Sequence, residues 1–537
     1  MQEMVARGDP RAAILAAAVA ALERRQFAGA EREIAACIAH DPDDIDAQLL
    51  RGLALAGQGA ATRAAPLLQA VAAARPGFAH PCRDLASLLP EAPALVAAQF
   101  RACRALAPAD DALTLAYADF LHDAGRVAAA AAVLRALLRR APHLAAAHKL
   151  LGMALLDLGD PAAAIAAMRE ATSRDADDAA TWSNLGVALK ITGAFPAAFA
   201  AHDRAVALAP GDPQIRLNRA VAHLRAGDFA AAWPDYGYRL RLATRPALPL
   251  ATLLPALATL PDLRGRTVLA WHEEGFGDTL QFARYLPLLA ERGARVVAYV
   301  PPELARLFAT LAGIAEVRTP PAPLPPHDWH CPFFSLPRAF ATEVTSIPAR
   351  IPYLAADPAA VAAWAARLPA DGLRVGVAWA GQARPWLPGF ATLDASRSLP
   401  LATLAPLGTV PGVRLVSLQK GPAARDIATA GITMADPMDD VADFADTAAI
   451  IANLDLVVSV DTSVVHLAGA LGRPVVLLDR YDNCWRWLAG REDSPWYPTL
   501  RIVRQERMGD WAPVVARVAA ALAGGWHAAS HRFADTP

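Results

Sequence analysis

Residues Asp455 to Leu478 read DLVVSVDTSVVHLAGALGRPVVLL. The apolar, β-branched run Leu456–Val460 predicts a strand that is buried on both faces, and Val475–Leu478 predicts a second one. A short helix fits between them, and Gly472 with Pro474 would end it. A strand, a helix and a strand in this order are typical of a parallel α/β sheet.

The turn after the first strand carries the polar residues of this segment. Ligands of parallel sheets bind at the carboxyl ends of the strands, where a helix N-terminus offers free N–H groups and a partial positive charge. Asp461, Thr462 and Ser463 are expected there, and His466 shares a helix face with Thr462. The alternative is that Asp461 only caps the helix and His466 only packs in the core.

The order VDTSxxHLAGALGxP resembles the signature of the ADP-heptose:lipopolysaccharide heptosyltransferases, glycosyltransferase family nine. The resemblance implies a GT-B fold, in which two Rossmann-like halves face each other. It also implies that Asp461, Thr462, Ser463 and His466 bind the nucleotide and sugar of a donor. GT-B enzymes need no essential metal, so neither a metal site nor a cofactor is expected, and the nucleotide-sugar is a substrate.

Composition excludes several other classes of protein. A net charge of −1 over 537 residues gives no electrostatic case for binding nucleic acid or an anionic membrane. The sequence has no uncharged apolar run long enough to span a bilayer and no signal-peptide pattern. The five cysteines are scattered without a C-x-x-C pair, which argues against a disulfide framework or a zinc site. A cytoplasmic location is therefore expected.

The first half of the chain repeats every 34 residues. The turn glycines that set this period are Gly125, Gly159, Gly193 and Gly227. Paired helices with this period are the tetratricopeptide (TPR) signature, and six or seven units are expected between about residue 11 and residue 241. Such an array forms a concave groove, so a protein acceptor or partner is expected there. Its candidate lining residues are Asn184, Lys190, Asn218, His148 and Lys149.

A glycine-rich loop, residues 272–277, precedes the helix that Asp278 is expected to open. A strand is predicted at Thr267–Trp271, and Asp278 with Gln281 three residues later matches a capping box. The segment GFGDTLQ also resembles the G-D-x-L of the heptosyltransferases, which implies that Asp278 is the catalytic base for the acceptor hydroxyl. The acceptor-side loop comprises Glu273, Glu274, Gly275 and Gly277. Glu273, Glu274 and His272 are rivals for the role of base.

The remaining donor-binding residues follow two strands predicted at Leu373–Trp379 and Val413–Leu418. They are Gly381, Arg397, Ser398, Gln419 and Lys420. In the related family the loop after the first strand carries a lysine or arginine for the donor phosphates. This chain lacks that lysine, and Lys420 beside a glycine is placed to meet a pyrophosphate. The aromatic and charged loop 480–487 is expected to form a cleft wall.

The predicted architecture is a TPR solenoid followed by a GT-B fold. The predicted boundaries are 1–241 for the repeats, 242–264 for a linker, 265–355 for the acceptor half, 356–371 for a hinge, 372–525 for the donor half and 526–537 for a tail. The predicted function is transfer of a sugar from a nucleotide-sugar to a protein held by the repeats. The alternatives are a non-catalytic scaffold with a degenerate GT-B domain, or a heptosyltransferase that acts on lipopolysaccharide.

Overall fold

The computed structural model describes residues 10–74, 96–97, 100–101, 104, 108–242, 248–260, 262–382 and 394–525. The predicted tail and residues 75–95 of the predicted repeat array lie outside the described residues. The chain forms two compact units, residues 1–188 and residues 189–537. The predicted fold class is confirmed: helices in pairs come first, and two parallel sheets follow.

Antiparallel helix pairs build the first unit. The helices are α1 (Pro10–Glu23), α2 (Phe27–His40), α3 (Ile45–Gly57), α4 (Ala61–Ala74), α5 (Asp111–Asp123), α6 (Val127–Arg140), α7 (Ala145–Asp157), α8 (Pro161–Arg174) and α9 (Ala179–Ile191), the last of which runs into the second unit. The starts of α5, α7 and α9 are 34 residues apart, as the glycine period predicts. Gly125 and Gly159 occupy the left-handed region, with φ of 71° and 79°, which only glycine adopts without strain.

Three more helices open the second unit, and they continue the same period. They are α10 (Phe195–Leu208), α11 (Pro213–Ala226) and α12 (Phe229–Tyr236). The aromatic side chains of α12 pack into the core of the α/β part: the ring of Phe229 lies 5.8 Å from that of Trp485, and Tyr236 lies 6.4 Å from Phe334. The last repeat helices therefore share a core with the sheets. The boundary at residue 241, drawn from sequence pattern alone, stays a prediction.

The first sheet has the order β3-β2-β1-β4, and its strands are parallel. Its strands are β1 (Thr267–Trp271), β2 (Arg295–Tyr299), β3 (Ile314–Arg318) and β4 (Trp329–Pro332). The helices of this half are α13 (Phe276–Phe282), α14 (Leu286–Glu291), α15 (Pro302–Phe308) and α16 (Leu336–Ala339). The order 3-2-1-4 is that of a Rossmann half. The predicted linker packs on it, since Leu254 N–H donates to His330 O at 2.8 Å.

The second sheet has the order β6-β5-β7-β8-β9, again with parallel strands. Its strands are β5 (Leu373–Ala378), β6 (Val413–Ser417), β7 (Leu456–Val460), β8 (Val475–Asp479) and β9 (Leu500–Arg504). The accompanying helices are α17 (Pro358–Ala365), α18 (Ala405–Gly408), α19 (Phe444–Ala452), α20 (Ser463–Ala470) and α21 (Ala512–Ala523). Every residue of β7 and β8 is buried, as their continuous apolar sequences predict.

Candidate functional site

The two glycosyltransferase-like motifs of the sequence meet in space. Helix α13 follows the first strand of one half, and α20 follows the central strand β7 of the other. A Cβ built on Gly277 would lie only 2.7 Å from His466 Cδ2 and 3.4 Å from Ser463 Cα. Glycine is thus what allows the start of α13 to touch the start of α20. The segments that follow β1 and β7 therefore meet at this contact, which is the candidate cleft.

Asp278 lies on this cleft but does not cap its helix. Helix α13 begins at Phe276 with Gly275 at the N-cap, so Asp278 is the third helical residue. The predicted capping box is therefore wrong, because the N-cap lies three residues earlier than the Asp-Gln spacing suggests. Asp278 Oδ1 instead accepts a hydrogen bond from Arg486 Nη2, in the loop after β8. Its side chain keeps 16% of its surface exposed, which leaves the carboxylate accessible.

The rivals for the role of base have other environments. Glu273 is buried in a two-pronged ion pair with Arg239, at 2.9 Å and 3.2 Å, so its carboxylate does not face the cleft. His272 makes a 2.8 Å hydrogen bond with Thr279 Oγ1, and burial lowers the pKa of His272 to about 4. Glu274 is half-buried and Gly275 is exposed in the same loop. Asp278 remains the best-placed carboxylate of these.

Asp461 follows β7 at the carboxyl edge of the second sheet. Thr462, rather than Asp461, is the N-cap of α20, and its Oγ1 accepts from Val464 N–H at 3.3 Å. The interpretation of Asp461 as a helix cap is therefore wrong, and its carboxylate is available for another role. Burial raises the pKa of Asp461, and the charges of Arg480 and Arg397 oppose that shift. Asp461 Oδ1 lies 3.8 Å from His466 Nε2.

His466 is held rigidly by aromatic neighbours. Its ring stacks on Trp487, with centroids 5.2 Å apart, and Nδ1 lies 3.1 Å from the hydroxyl of Tyr497. Burial lowers the pKa of His466 to about 3, so the ring is neutral at pH 7. A neutral imidazole beside a carboxylate suits hydrogen bonding to a hydroxyl group rather than charge pairing with phosphate.

Gly381, Arg397 and Ser398 lie together at the end of β5. Ser398 Oγ accepts from Gly381 N–H at 3.1 Å. A Cβ on Gly381 would be 2.7 Å from Arg397 Nη2, so the guanidinium packs directly on that backbone. Arg397 also pairs with Asp394 at 3.1 Å. These contacts fix the segment 394–398 over the end of β5.

Gln419 and Lys420, at the end of β6, are already used in the fold. Gln419 Oε1 accepts from the N–H groups of Trp379 and Ala380, and its Nε2 donates to the carbonyls of Ala380 and Lys420. It therefore joins the ends of β5 and β6. Lys420 Nζ donates to the carbonyl of Val441.

The sequence interpretation missed three arginines around the loop 480–487. Arg486 holds Asp278, Arg225 of α11 donates to Asn483 Oδ1 at 2.8 Å and pairs with Asp482 at 3.0 Å, and Arg480 donates to Ser396 Oγ at 3.0 Å. Only part of this loop matches the predicted cleft wall. Trp487 stacks on His466, while Trp485 packs inwards on Phe229. The order R-x-x-x-x-x-R after a strand was the available signal.

The helical array has a depression of its own within the first unit. It has a volume of about 180 Å³, and its lining residues are His122, Met153, Leu156, Asp157, Met168, Asn184 and Val187. Of the predicted groove residues Asn184 lines it, whereas Lys149 is paired with Asp178 at 2.8 Å. Lys190 belongs to the second unit, where its ammonium interacts with Asp482.

The described residues lack two features. Within them, no three His, Cys, Asp or Glu side chains are grouped as a metal ion would require. None of the helices in the same part of the chain is long and apolar enough to cross a bilayer.

Two protein families match parts of the sequence. The tetratricopeptide repeat family matches residues 15–77 and 149–213. Glycosyltransferase family 9 (heptosyltransferase) matches residues 441–508, which include β7, α20, β8 and the loop 480–487. The chain therefore carries TPR repeats and a family 9 segment, as the resemblance implied, and it is glycosyltransferase-like at this coarse level.

Similar proteins were also found by sequence and by fold. Protein FlbA of Caulobacter vibrioides (strain ATCC 19089 / CIP 103742 / CB 15) is 32% identical over 291 residues, 49% of this chain, and the alignment spans only about half (47%) of FlbA. A crystal structure of MamA has 18% identity and a TM-score of 0.27, and covers 30% of this chain and 92% of its own. A glycosyl transferase family 9 structure from Veillonella parvula DSM 2008 has 10% identity and a TM-score of 0.34, and covers 45% and 87%.

Proposed function

We propose that this protein transfers a sugar from a nucleotide-sugar to an acceptor protein bound by its helical repeats. The observation that carries the proposal is the contact between the two motifs. Gly277 places Asp278 against the helix that begins after Asp461, so a carboxylate from each half lies on one cleft. The family 9 match over residues 441–508 supports the donor side of this assignment.

The donor fits the carboxyl edge of the second sheet. The strand ends of β5, β7 and β8 adjoin one another there, which is where parallel sheets bind nucleotides. The Asp461 carboxylate would accept hydrogen bonds from sugar hydroxyls, and the neutral His466 ring would donate a hydrogen bond to one. The free N–H groups at Thr462 and Ser463, together with Arg397, would face the phosphates.

The acceptor side supplies the base. Asp278 would take the proton from the acceptor hydroxyl while that oxygen bonds to the anomeric carbon of the sugar. The bond from the anomeric carbon to the diphosphate oxygen breaks at the same time, and the nucleoside diphosphate leaves with the electron pair. Arg486 holds Asp278 in position and stabilises its ionised form before the reaction.

The repeats support a protein as the acceptor. A lining of methionine, leucine and valine with His122 and Asp157 beside it suits a peptide segment with an apolar side chain next to polar ones. TPR arrays bind other proteins through such surfaces. The array would then raise the effective concentration of acceptor hydroxyls, because it tethers the acceptor to the chain that carries Asp278.

Calorimetry and thermal unfolding with ADP-, UDP-, GDP- and CMP-sugars test the donor assignment. One donor class is expected to bind wild type and to stabilise it against heat. Asp461→Ala should lose most of that binding, whereas Asp371→Ala, at an exposed ion pair with Arg414, should keep it. A folded wild-type protein that binds none of the donors would leave the scaffold as the better account.

A further inference from the structure

Two guanidinium groups lie beside Asp461 at the carboxyl edge of the second sheet. Arg480 directly follows β8, and Asp461 follows β7. The pairing of Val460 with Leu478 puts these two strand ends side by side. The Arg480 guanidinium reaches over the edge and donates to Ser396 Oγ at 3.0 Å, in the segment that also carries Arg397. The charges of both arginines act on the Asp461 carboxylate.

The two arginines differ in how their charge is balanced. Arg397 is paired with Asp394 at 3.1 Å and donates to the carbonyl of Gln382 at 2.9 Å. For Arg480, no carboxylate oxygen of the described residues lies within 4.0 Å, and its hydrogen bond is to the neutral hydroxyl of Ser396. Arg480 therefore carries a positive charge that its neighbours in this part of the chain do not neutralise directly.

Two of the carboxylates near Arg480 have arginine partners already, whereas Asp461 has only His466 Nε2, at 3.8 Å, as an ion-pair partner among the described residues. Asp482 pairs with Arg225 at 3.0 Å, and Asp479 pairs with Arg504 at 2.8 Å. Lys190 adds a further positive charge next to Asp482. With Asp461 and Asp394 included, four carboxylates (Asp394, Asp461, Asp479 and Asp482) lie among five cationic side chains (Lys190, Arg225, Arg397, Arg480 and Arg504), and an anionic ligand would balance the excess.

The predicted phosphate ligand Lys420 is less well placed than Arg480. It follows β6, the edge strand, which pairs with β5 and not with β7. Its ammonium is bound to the carbonyl of Val441. Residues 382–396, which correspond to the loop that carries a phosphate-binding lysine in the related enzymes, contain no lysine in this sequence.

We propose that Arg480 binds the diphosphate of the nucleotide-sugar donor and supplies the positive charge that a loop lysine supplies in the related enzymes. This inference rests on the proposed function. A guanidinium presents parallel N–H groups that match two phosphate oxygens, so it can hold the donor and stabilise the charge that grows on the leaving diphosphate. Ser396 orients the guanidinium from the other side.

Isothermal calorimetry on the full-length protein tests this with ADP, UDP, GDP and CDP and with the four matching nucleosides. The diphosphate that binds wild type is expected to bind Arg480→Gln about 10- to 100-fold more weakly, which is the loss of one charge-assisted hydrogen-bonding group. The affinity for the matching nucleoside should not change. Arg480→Lys should bind the diphosphate with intermediate affinity, since it keeps the charge and loses the fork.

Arg414→Gln is the matched control, because Arg414 is an exposed arginine of the same half that pairs with Asp371. It should bind like wild type. If Arg480→Gln binds the diphosphate with an affinity within twofold of wild type, the role of Arg480 is overturned and the proposed function stays intact. If the glutamine variant does not fold, the same result for Arg480→Lys leads to the same conclusion. A wild-type protein that binds nucleotide-sugars but none of the four diphosphates would overturn the role of Arg480 alone, and one that binds neither would overturn both.

Discussion

Replacing Glu273 by glutamine should strongly destabilise the second unit. Glu273 and Arg239 form an ion pair whose side chains are only 2% and 3% exposed. The change leaves the Arg239 guanidinium buried without its counter-charge. Removing one partner of a buried pair costs about 3–5 kcal/mol. Arg239 keeps neutral acceptors in Ser335 Oγ and Tyr236 O, so the lower end, about 3 kcal/mol, is expected.

Urea unfolding followed by tryptophan fluorescence measures this effect. With an m-value of about 3 kcal/mol/M, the midpoint of Glu273→Gln should fall by about 1 M. The double variant Arg239→Met, Glu273→Met should recover part of the loss, because no buried charge is left without a partner. Glu492→Gln removes an exposed pair with Arg517 and should leave the midpoint unchanged.

A midpoint for Glu273→Gln that matches the Glu492→Gln control would refute the reasoning. The same variant also separates structure from catalysis. If Glu273 is structural, the rate of donor cleavage per folded molecule should stay close to wild type. A folded Glu273→Gln protein without activity would return Glu273 to the role of base.

Three further predictions concern the second unit. Gly277→Ala should destabilise the second unit by about 1–3 kcal/mol, because the new methyl group meets His466. Gly237→Ala, which has open space around its Cβ position, should not destabilise it, and thermal unfolding of the two variants measures the difference. His202 is fully buried with both ring nitrogens unpartnered among the described residues, and its pKa is lowered to about 3. Below pH 6.5 the unfolded state therefore binds a proton on His202 that the folded state does not bind, so the free energy of unfolding should decrease as the pH is lowered, by up to about 1.4 kcal/mol per pH unit. In urea titrations between pH 6.5 and 5, the stability of His202→Leu should depend less on pH than that of wild type. A fragment that begins at residue 242 should aggregate, because it lacks the buried rings of Phe229 and Tyr236, whereas one that begins at residue 178 should give a native circular dichroism spectrum.

The sequence predicted the sheets well because buried parallel strands have a strong local signal. The run Leu456–Val460 is a strand with the predicted limits, and Thr267–Trp271 is another. The strands predicted at Leu373–Trp379 and Val413–Leu418 each end one residue earlier in the structure than in the prediction. At these ends the strand changes into a loop without any change in hydrophobicity. The 34-residue period also predicted the helix pairs, because it is a signal that the sequence itself repeats.

The environment of the site depended on contacts that local patterns do not encode. The spacing of Asp278 and Gln281 indicated a cap, but the helix starts at Phe276, because the loop from β1 turns earlier to bring Gly277 onto His466. The burial of Glu273 depends on Arg239, 34 residues away. Arg225 and Asp482 are separated by 257 residues, and neither has a local feature that marks it as a partner of the other.

Hydrolysis of the donor, in which water takes the place of the acceptor hydroxyl and the nucleoside diphosphate is released, tests the central claim most directly. The donor is the one that binds in the calorimetric screen, and the comparison is between wild type and Asp278→Asn at equal donor occupancy. Wild type should release the diphosphate. Asp278→Asn should bind the donor with unchanged affinity but should release the diphosphate at least about 100-fold more slowly, as expected for the loss of a general base. Equal rates of release, or donor binding by wild type without any release, would contradict the assignment of Asp278 and of the cleft as a catalytic site.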